Sequence, residues 1–378
     1  MLQSQHILIS GAGIAGLALA RRFEQLGIHY KIIEKHPKPS DHGLGIALPF
    51  NAIQALRELD LAKAVFASSY QVNRITYAKK NGDILSQASL LDAPLNQDHF
   101  VAMYRHQLQD ILFNSLRQKV HYETTITDFE NSPDGVEVTC SDQQLSAHYD
   151  LVISAEGVHA NLRQKCFLDE QTVIHYDIQN WRFIHPMKNH GLQPKYYFAT
   201  SELFMIYPIS ADLLYCYGHV YDEKKQYDNT AHIENLTHLF KNFGDIVPDI
   251  INHLKNKKIY AGRLKSVRRP YYSKKRIAFI GDASGACSPL LQQGAAAAFE
   301  DVLCLSEQLK LHSIDKALSE YESIRHARVS WILKTSDAPI QKIKIFHHPI
   351  GAIIRNTVFK RQEPLNVIGW KYLANQDK

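Results

Sequence analysis

The sequence predicts an α/β fold in which a strand-helix-strand nucleotide-type domain is interleaved with a β-sheet domain and followed by C-terminal helices. Three observations point there. HILISGAGIAGLALA near the start reads as an apolar strand, a glycine turn and a helix. IAFIGDASGACSPLLQQGAAAAFED, residues 277–301, repeats that plan far downstream. Between them, residues 174–220 carry WRFIHP, KYYFATSELFMIYPIS and DLLYCYGHV, an aromatic and β-branched composition that suits antiparallel sheet.

The elements follow in order. HILIS (6–10) is a strand, GAGIAG a tight turn, LALARRFEQLG a helix ending at Gly27, and HYKIIEK (29–35) a second strand, which completes a βαβ unit. NAIQALRELDL (51–61) has helical spacing, with Ile53, Leu56, Leu59 and Leu61 near one face. RITYAKKNGDILSQASL (74–90) is a hairpin that turns at Asn81-Gly82, because both positions tolerate positive φ. A helix over 106–116 precedes a meander, TTITDFE, GVEVTC and LSAHY, which leads into the buried strand DLVISA. Residues 235–254 read as helix around Pro248, and the pattern of the last helices weakens after Pro349. The nucleotide-type domain is expected from 1–73, 98–173 and 260–335, the sheet domain from 74–97 and 174–259, and a helical region from 336–378.

Composition narrows the function classes. A content of 45% hydrophobic and 21% charged residues excludes fibrous and disordered chains. No stretch reaches the roughly 18 uninterrupted apolar residues of a membrane span. MLQSQH has no basic segment followed by an apolar core, so the expected compartment is the cytoplasm. Five scattered cysteines, none in CxxC spacing, argue against disulfides and zinc, and the dispersed histidines argue against any metal site. The basic run over 255–276 reads as a solvated loop face, with a docking site for a 2′-phosphorylated nucleotide or an anionic membrane surface as the alternatives, and no nucleic-acid partner is expected.

The chemistry sits in the glycine turns. Gly11, Gly13 and Gly16 lie between a strand and a helix, where glycines permit a tight turn, close approach to a pyrophosphate and close helix packing. Glu34 ends the second strand, where a carboxylate accepts hydrogen bonds from ribose hydroxyls. Asp282 ends a late strand and could bind ribityl hydroxyls. The helix opening at Gly294 could aim its N-terminal N–H groups at the pyrimidine side of a flavin. A nicotinamide site needs no such second half, so the pair points to FAD.

With these residues in view, the sequence resembles the single-component FAD-dependent aromatic hydroxylases, the group of p-hydroxybenzoate, salicylate and kynurenine hydroxylases and tetracycline-inactivating monooxygenases. The resemblance covers about residues 5–335 and rests on GAGIAG with Glu34, EGVHANLR (156–163), and GDASGACSPLLQQG (281–294) with Glu300-Asp301. It implies a Rossmann-like FAD-binding domain interleaved with a β-sheet substrate domain. It also implies an NAD(P)H- and O2-dependent monooxygenase that hydroxylates an aromatic or polycyclic small molecule through a flavin C4a-hydroperoxide. A reductase or dehydrogenase of the same fold, or a non-catalytic FAD-binding protein, remains as an alternative.

Residue by residue, the resemblance places Arg105 near the ribityl and pyrophosphate, Glu156 and Arg163 in a motif serving FAD and NADPH, and Gly43, Gly45 and Ile46 beside the ring. Pro289 falls near the reacting face together with Gln292, and the remaining cofactor contacts expected are Ala15, Lys35, Gly157, Gly281, Gln293 and Ala295. Arg182, Tyr197, Phe204, Tyr207, Pro208, Tyr215 and Tyr217 are the candidate substrate residues, of which strand alternation turns about half away. Three positions depart from the family pattern: Glu156 replaces an Asp, Gly285 a frequent His, and Gln292 a Gly or Ala. No residue type here assigns another catalytic acid, base or nucleophile.

Overall fold

A computed structural model describes residues 6–37, 44–188 and 190–376. Gly43, one of the positions placed beside the flavin ring, lies outside them. Two sheets organise the chain. The first has six strands in the order Ser273–Lys274, Ile277–Phe279, Leu151–Ser154, Ile7–Ser10, Lys31–Ile33 and Val120–His121. Apart from the Ser273–Lys274 edge, all its pairings are parallel. Its central strands, Ile7–Ser10 and Leu151–Ser154, are wholly buried, as a sheet covered on both faces requires.

Parallel pairing has a direct consequence for function: the five parallel strands all end on the same edge of the sheet. Ser10 leads into the Gly11 turn, Ile33 into Glu34, Ser154 into Glu156, and Phe279 into Gly281-Asp282. Four segments that are far apart in sequence thus deliver their polar residues to one rim, where ligands of open α/β sheets bind. The helices Ile14–Leu26 and Gly294–Leu311 pack against each other over this sheet.

The second sheet has seven strands in the order Tyr260–Val267, Val173–Pro186, Leu213–Tyr221, Glu202–Pro208, Lys195–Phe198, Arg74–Lys79 and Ile84–Ser89. It is antiparallel except where Lys195–Phe198 meets Arg74–Lys79. Alternation gives it two distinct faces. Leu203, Met205, Tyr207 and Tyr217 join a cluster with C-terminal residues, while Tyr197, Phe204, Ile206 and Cys216 pack on the helices His232–Phe240 and Val247–Asn252.

Two expectations change. Residues 235–254 form two helices rather than one, because the tip of the 74–90 hairpin docks between them. Gly244 donates its N–H to the Lys80 carbonyl (2.7 Å), and a Cβ there would strike the Asn81 carbonyl. Pro248 then falls in the first turn of the second helix, where its missing N–H costs nothing. The basic run is not a loop face either. Tyr260–Val267 is an edge strand, and Arg263 pairs with Asp222, Arg269 with Glu170 and Arg276 with Asp315.

The C-terminal residues form the long helix Ile314–Gln341, then Ile343–Phe346, Pro349–Phe359 and Leu365–Gln376. The last is anchored by Trp370, fully buried, whose Nε1 donates to the Leu291 carbonyl at 2.7 Å. Among the described residues no helix is long and apolar enough to cross a membrane.

Candidate active site

The glycine turn shows three separate steric roles. A Cβ on Gly11, at φ 108°, would sit 2.5 Å from the Ala155 carbonyl oxygen, and one on Gly16 would fall on the Gly11 carbonyl. Gly13 differs, because nothing lies within 4 Å of a Cβ placed there. Two glycines therefore build the turn, and the third leaves its outer side open. Glu34 accepts hydrogen bonds from the N–H groups of Ala12 (2.8 Å) and His36 (3.0 Å), which ties the turn to the end of the second strand. Lys35 next to it is exposed.

From this rim a cleft of about 670 Å³ runs under the cleft-facing side of the seven-stranded sheet. Its floor includes Gly45, Ile46, Arg105, Asp282, Pro289, Gln292, Gly294 and Ala295. Its roof includes Arg182, Tyr207, Tyr215 and Tyr217. Gly45 is required by proximity: a Cβ would lie 2.5 Å from Tyr215. At Gly294 the missing side chain leaves the helix start open beside Asp282, whose Oδ1 lies 3.8 Å from a Cβ built there.

The electrostatics of the cleft are cationic with one buried acid. Arg105, Arg182, Arg263 and Lys265 line it. Burial lowers the Arg105 pKa, Asp282 opposes that shift, and Arg182 adds to it. Burial raises Asp282 above the usual carboxylate range, against the pull of Arg105 and Arg163. Arg182 Nε and Asn180 Oδ1 are buried and have no hydrogen-bond partner. Cys287 also lines the cleft, but burial pushes its thiol up to about 12, so it stays protonated and is no nucleophile.

The turn and the Glu34 strand end stand on the same sheet edge as Asp282, and the open helix start and the orphaned polar atoms lie in the cleft beyond it, an arrangement that suits a long anionic ligand with polar groups along it. A profile of the FAD binding domain family matches residues 4–336. The chain belongs to that family. It is an FAD-dependent oxidoreductase of the monooxygenase kind.

Over 368 residues this flavoprotein is 26% identical to 2-heptyl-3-hydroxy-4(1H)-quinolone synthase of Pseudomonas aeruginosa, a match that covers 94% of this chain and 93% of the other. It is 25% identical to aurachin C monooxygenase/isomerase of Stigmatella aurantiaca, with 86% of each chain covered. Among solved structures it shares its fold with Klebsiella pneumoniae HpxO complexed with FAD and uric acid, at a TM-score of 0.85 and 22% identity over 98% of this chain and 96% of that one.

Within the flavoprotein, the residues expected at the cofactor divide into two sets. Arg105, Gly45, Ile46, Asp282, Pro289, Gly294 and Ala295 meet in the cleft. Arg163, Glu156, Gly281 and Gln293 are turned to internal partners. The Arg163 side chain is fully buried and clamps the loop ends, donating to the carbonyls of Asp282 (3.3 Å), Ala283 (2.6 Å) and Val158. Glu156 accepts from Ser10 Oγ (2.7 Å) and the Leu162 N–H (3.0 Å). Gly281 lets two helices approach, since a Cβ would lie 2.8 Å from Ala15 and 3.2 Å from Ala298. Gln293 is fully buried and faces away from the cleft, where it accepts from Asn51 Nδ2 at 3.0 Å. Gly157, at φ 76°, has open space around it.

Among the candidate substrate residues, Arg182, Tyr207, Tyr215 and Tyr217 line the cleft, whereas Tyr197 and Phe204 face the opposite side. Tyr197 donates to Asp245 at 2.9 Å, and the Phe204 ring lies tilted against Phe240 with centroids 5.1 Å apart. Pro208, which ends its strand, is buried and lies outside the cleft lining. Sequence reasoning missed Tyr196, whose hydroxyl receives Gln292 Nε2 at 2.8 Å and which lines the cleft. The alternation of its strand carried that signal, since Tyr196 must face opposite to Tyr197.

Gln292 explains its own oddity. Its backbone is left-handed, φ 54° and ψ 30°, the region in which glycine is at ease. The side chain that replaces glycine spans the cleft, bonding Tyr196 and accepting from the Tyr207 hydroxyl at 3.3 Å.

Proposed function

We propose that the protein hydroxylates an electron-rich, planar bicyclic ring, of the 4(1H)-quinolone type named for its Pseudomonas relative, consuming O2 and NAD(P)H. The reading rests on one juxtaposition: the open start of the Gly294 helix lies across the cleft from the tyrosine roof. When bound, FAD would supply the redox chemistry by which NAD(P)H and O2 place one oxygen atom on the ring and release the other as water.

The residues around it bind, orient and keep water out. Gly11, Gly13 and Glu34 would hold the adenosine half; Arg105 and Asp282 would face the ribityl and phosphate portion; the N–H groups at Gly294 and Ala295 would favour negative charge on the ring's pyrimidine edge. Tyr207, Tyr215 and Tyr217 give the substrate ring flat apolar surface. Burial holds the Tyr215 hydroxyl up at about 12 and raises Tyr207 and Tyr217 as well, so the roof stays neutral through the physiological range. Arg182, with its unpartnered Nε, is placed to receive an oxygen substituent of the ring. We place this activity in the cytoplasm, where NAD(P)H is supplied.

The test is turnover by the FAD-loaded protein with unsubstituted and 2-alkyl 4(1H)-quinolones. Expected are stimulated NAD(P)H oxidation and a product heavier by one oxygen atom that is labelled from 18O2. Ring-stimulated NADH and NADPH oxidation that yields only hydrogen peroxide with every compound would overturn the hydroxylase reading.

A further inference from the structure

A second cavity of about 550 Å³ lies between the seven-stranded sheet and the C-terminal helices. Its walls are apolar, with Phe198, Trp331, Ile340, Phe346 and Phe359 prominent. It abuts the cleft, because Tyr196, Leu203 and Leu290 line both. At its outer end Ile354, Val358, Ile368 and Tyr372 are 54%, 45%, 40% and 43% exposed, so the far mouth reaches solvent through apolar side chains.

The polar atoms along the partition already have partners. Tyr77 donates to Asn366 Oδ1 (3.2 Å), Asn366 Nδ2 donates to the Tyr196 hydroxyl (3.4 Å), and Gln292 meets the same hydroxyl. His219, which also lines the cavity, shares a 3.0 Å hydrogen bond with the Tyr217 hydroxyl. Burial lowers its pKa to about 4, so it adds no charge near neutrality. Arg355 at the edge is held by the Ala199 carbonyl (2.6 Å) and lies over the Phe198 ring. A ligand here meets no unanswered donor along the partition, and what remains is an apolar space that shares a wall with the cleft.

We propose that this cavity binds a linear aliphatic chain carried by the substrate, threaded between Tyr196, Leu203 and Leu290 while the ring stays beneath the tyrosine roof. The inference rests on the ring-hydroxylase reading and extends it to a bipartite ligand of flat head and alkyl tail. The shared wall selects this occupant over an unrelated lipid, since the same three side chains line both the cleft and the cavity. Without a tail the cavity leaves a large apolar surface in contact with water. A tail covers that surface one methylene at a time.

Binding is measured on the FAD-loaded protein by equilibrium titration with 2-alkyl-4(1H)-quinolones from methyl to nonyl. Each methylene in the cavity is expected to lower Kd about fourfold. Ala338→Phe, which introduces bulk from the long helix into the cavity, is expected to cut that factor below about twofold beyond the propyl compound. Thr335→Phe, one helical turn earlier on the same wall, serves if A338F fails to fold. A Kd independent of chain length, or no binding at all, overturns the tail site. So does a full methylene increment that survives in both variants. A chain-length series that is present in binding but accompanied by no hydroxylation sustains the tail site and removes the hydroxylase reading.

Discussion

Replacing Gln292 by glycine restores the residue that its left-handed backbone favours, yet the structure says it should cost stability. Two hydroxyls lose a partner. Tyr196 keeps Asn366 at 3.4 Å, so its loss is that of one ordinary hydrogen bond, about 1 kcal/mol. Tyr207, 2% exposed, has Gln292 as its hydrogen-bond partner and becomes a buried orphan at about 1–2 kcal/mol. Against this, relief of the left-handed side chain returns about 1 kcal/mol. The net expected loss is about 1–2 kcal/mol, measured by urea denaturation followed through tryptophan fluorescence. The decisive step is a double-mutant cycle with Tyr207→Phe, which removes the hydroxyl that Q292G leaves stranded. The pair should destabilise less than the sum of the two single changes by about 1 kcal/mol or more. Additivity within about 0.3 kcal/mol would show that the Gln292–Tyr207 contact is not made in solution, and the bridged cleft with it.

Other expectations concern the cofactor and the acid-base pairs that hold the Gly294 helix. Gly13→Ala points a methyl into open space, so it should fold normally yet lose FAD affinity by about tenfold or more, read as flavin absorbance per protein; Gly16→Ala, which collides with Gly11, should lower the yield of folded protein. Arg325 bonds both Asp301 Oδ1 (2.8 Å) and Glu300 Oε2 (2.7 Å) in the interior, so Arg325→Met should cost about 3–5 kcal/mol by leaving the buried Asp301 carboxylate without its cation, while Glu300 keeps Arg328. Burial raises the Glu300 pKa, but Arg325 and Arg328 outweigh it and bring it to about 2. A folded-state value below the unfolded one stabilises above about pH 4.5, and that contribution disappears as pH falls from there toward 2. Glu300→Gln should therefore flatten the stability profile in that acid window, as followed by circular dichroism.

What could be read in the sequence was local. The strand, turn and helix at GAGIAG, the Glu34 strand end and the Asp282 strand end are set by neighbours a few residues away, and all stand where the pattern puts them. What could not be read depends on distant partners. Alternation says that Tyr196 and Tyr197 face opposite ways, but which one meets the cleft depends on the helices His232–Phe240 and Val247–Asn252 claiming the other face. Arg163 belongs to a motif that suggests a ligand contact, yet its guanidinium bonds carbonyls 119 and 120 residues away. Gly244 breaks a helix because a hairpin tip from residues 80–81 arrives against it. The second cavity joins Tyr77, Leu203, Phe346 and Gly369, residues with no common local pattern.

The rim on which Gly11, Glu34, Glu156 and Asp282 converge carries a timing constraint. Its first strand, Ile7–Ser10, is made roughly 300 residues before the helix that finishes it ends at Leu311. At roughly 5–20 residues per second, the glycine turn waits on the order of 15–60 s before its far half exists. The cofactor therefore loads only once the Gly294 helix has been made, and any nonsense or proteolytic fragment that ends before that helix should emerge colourless however well its βαβ unit folds.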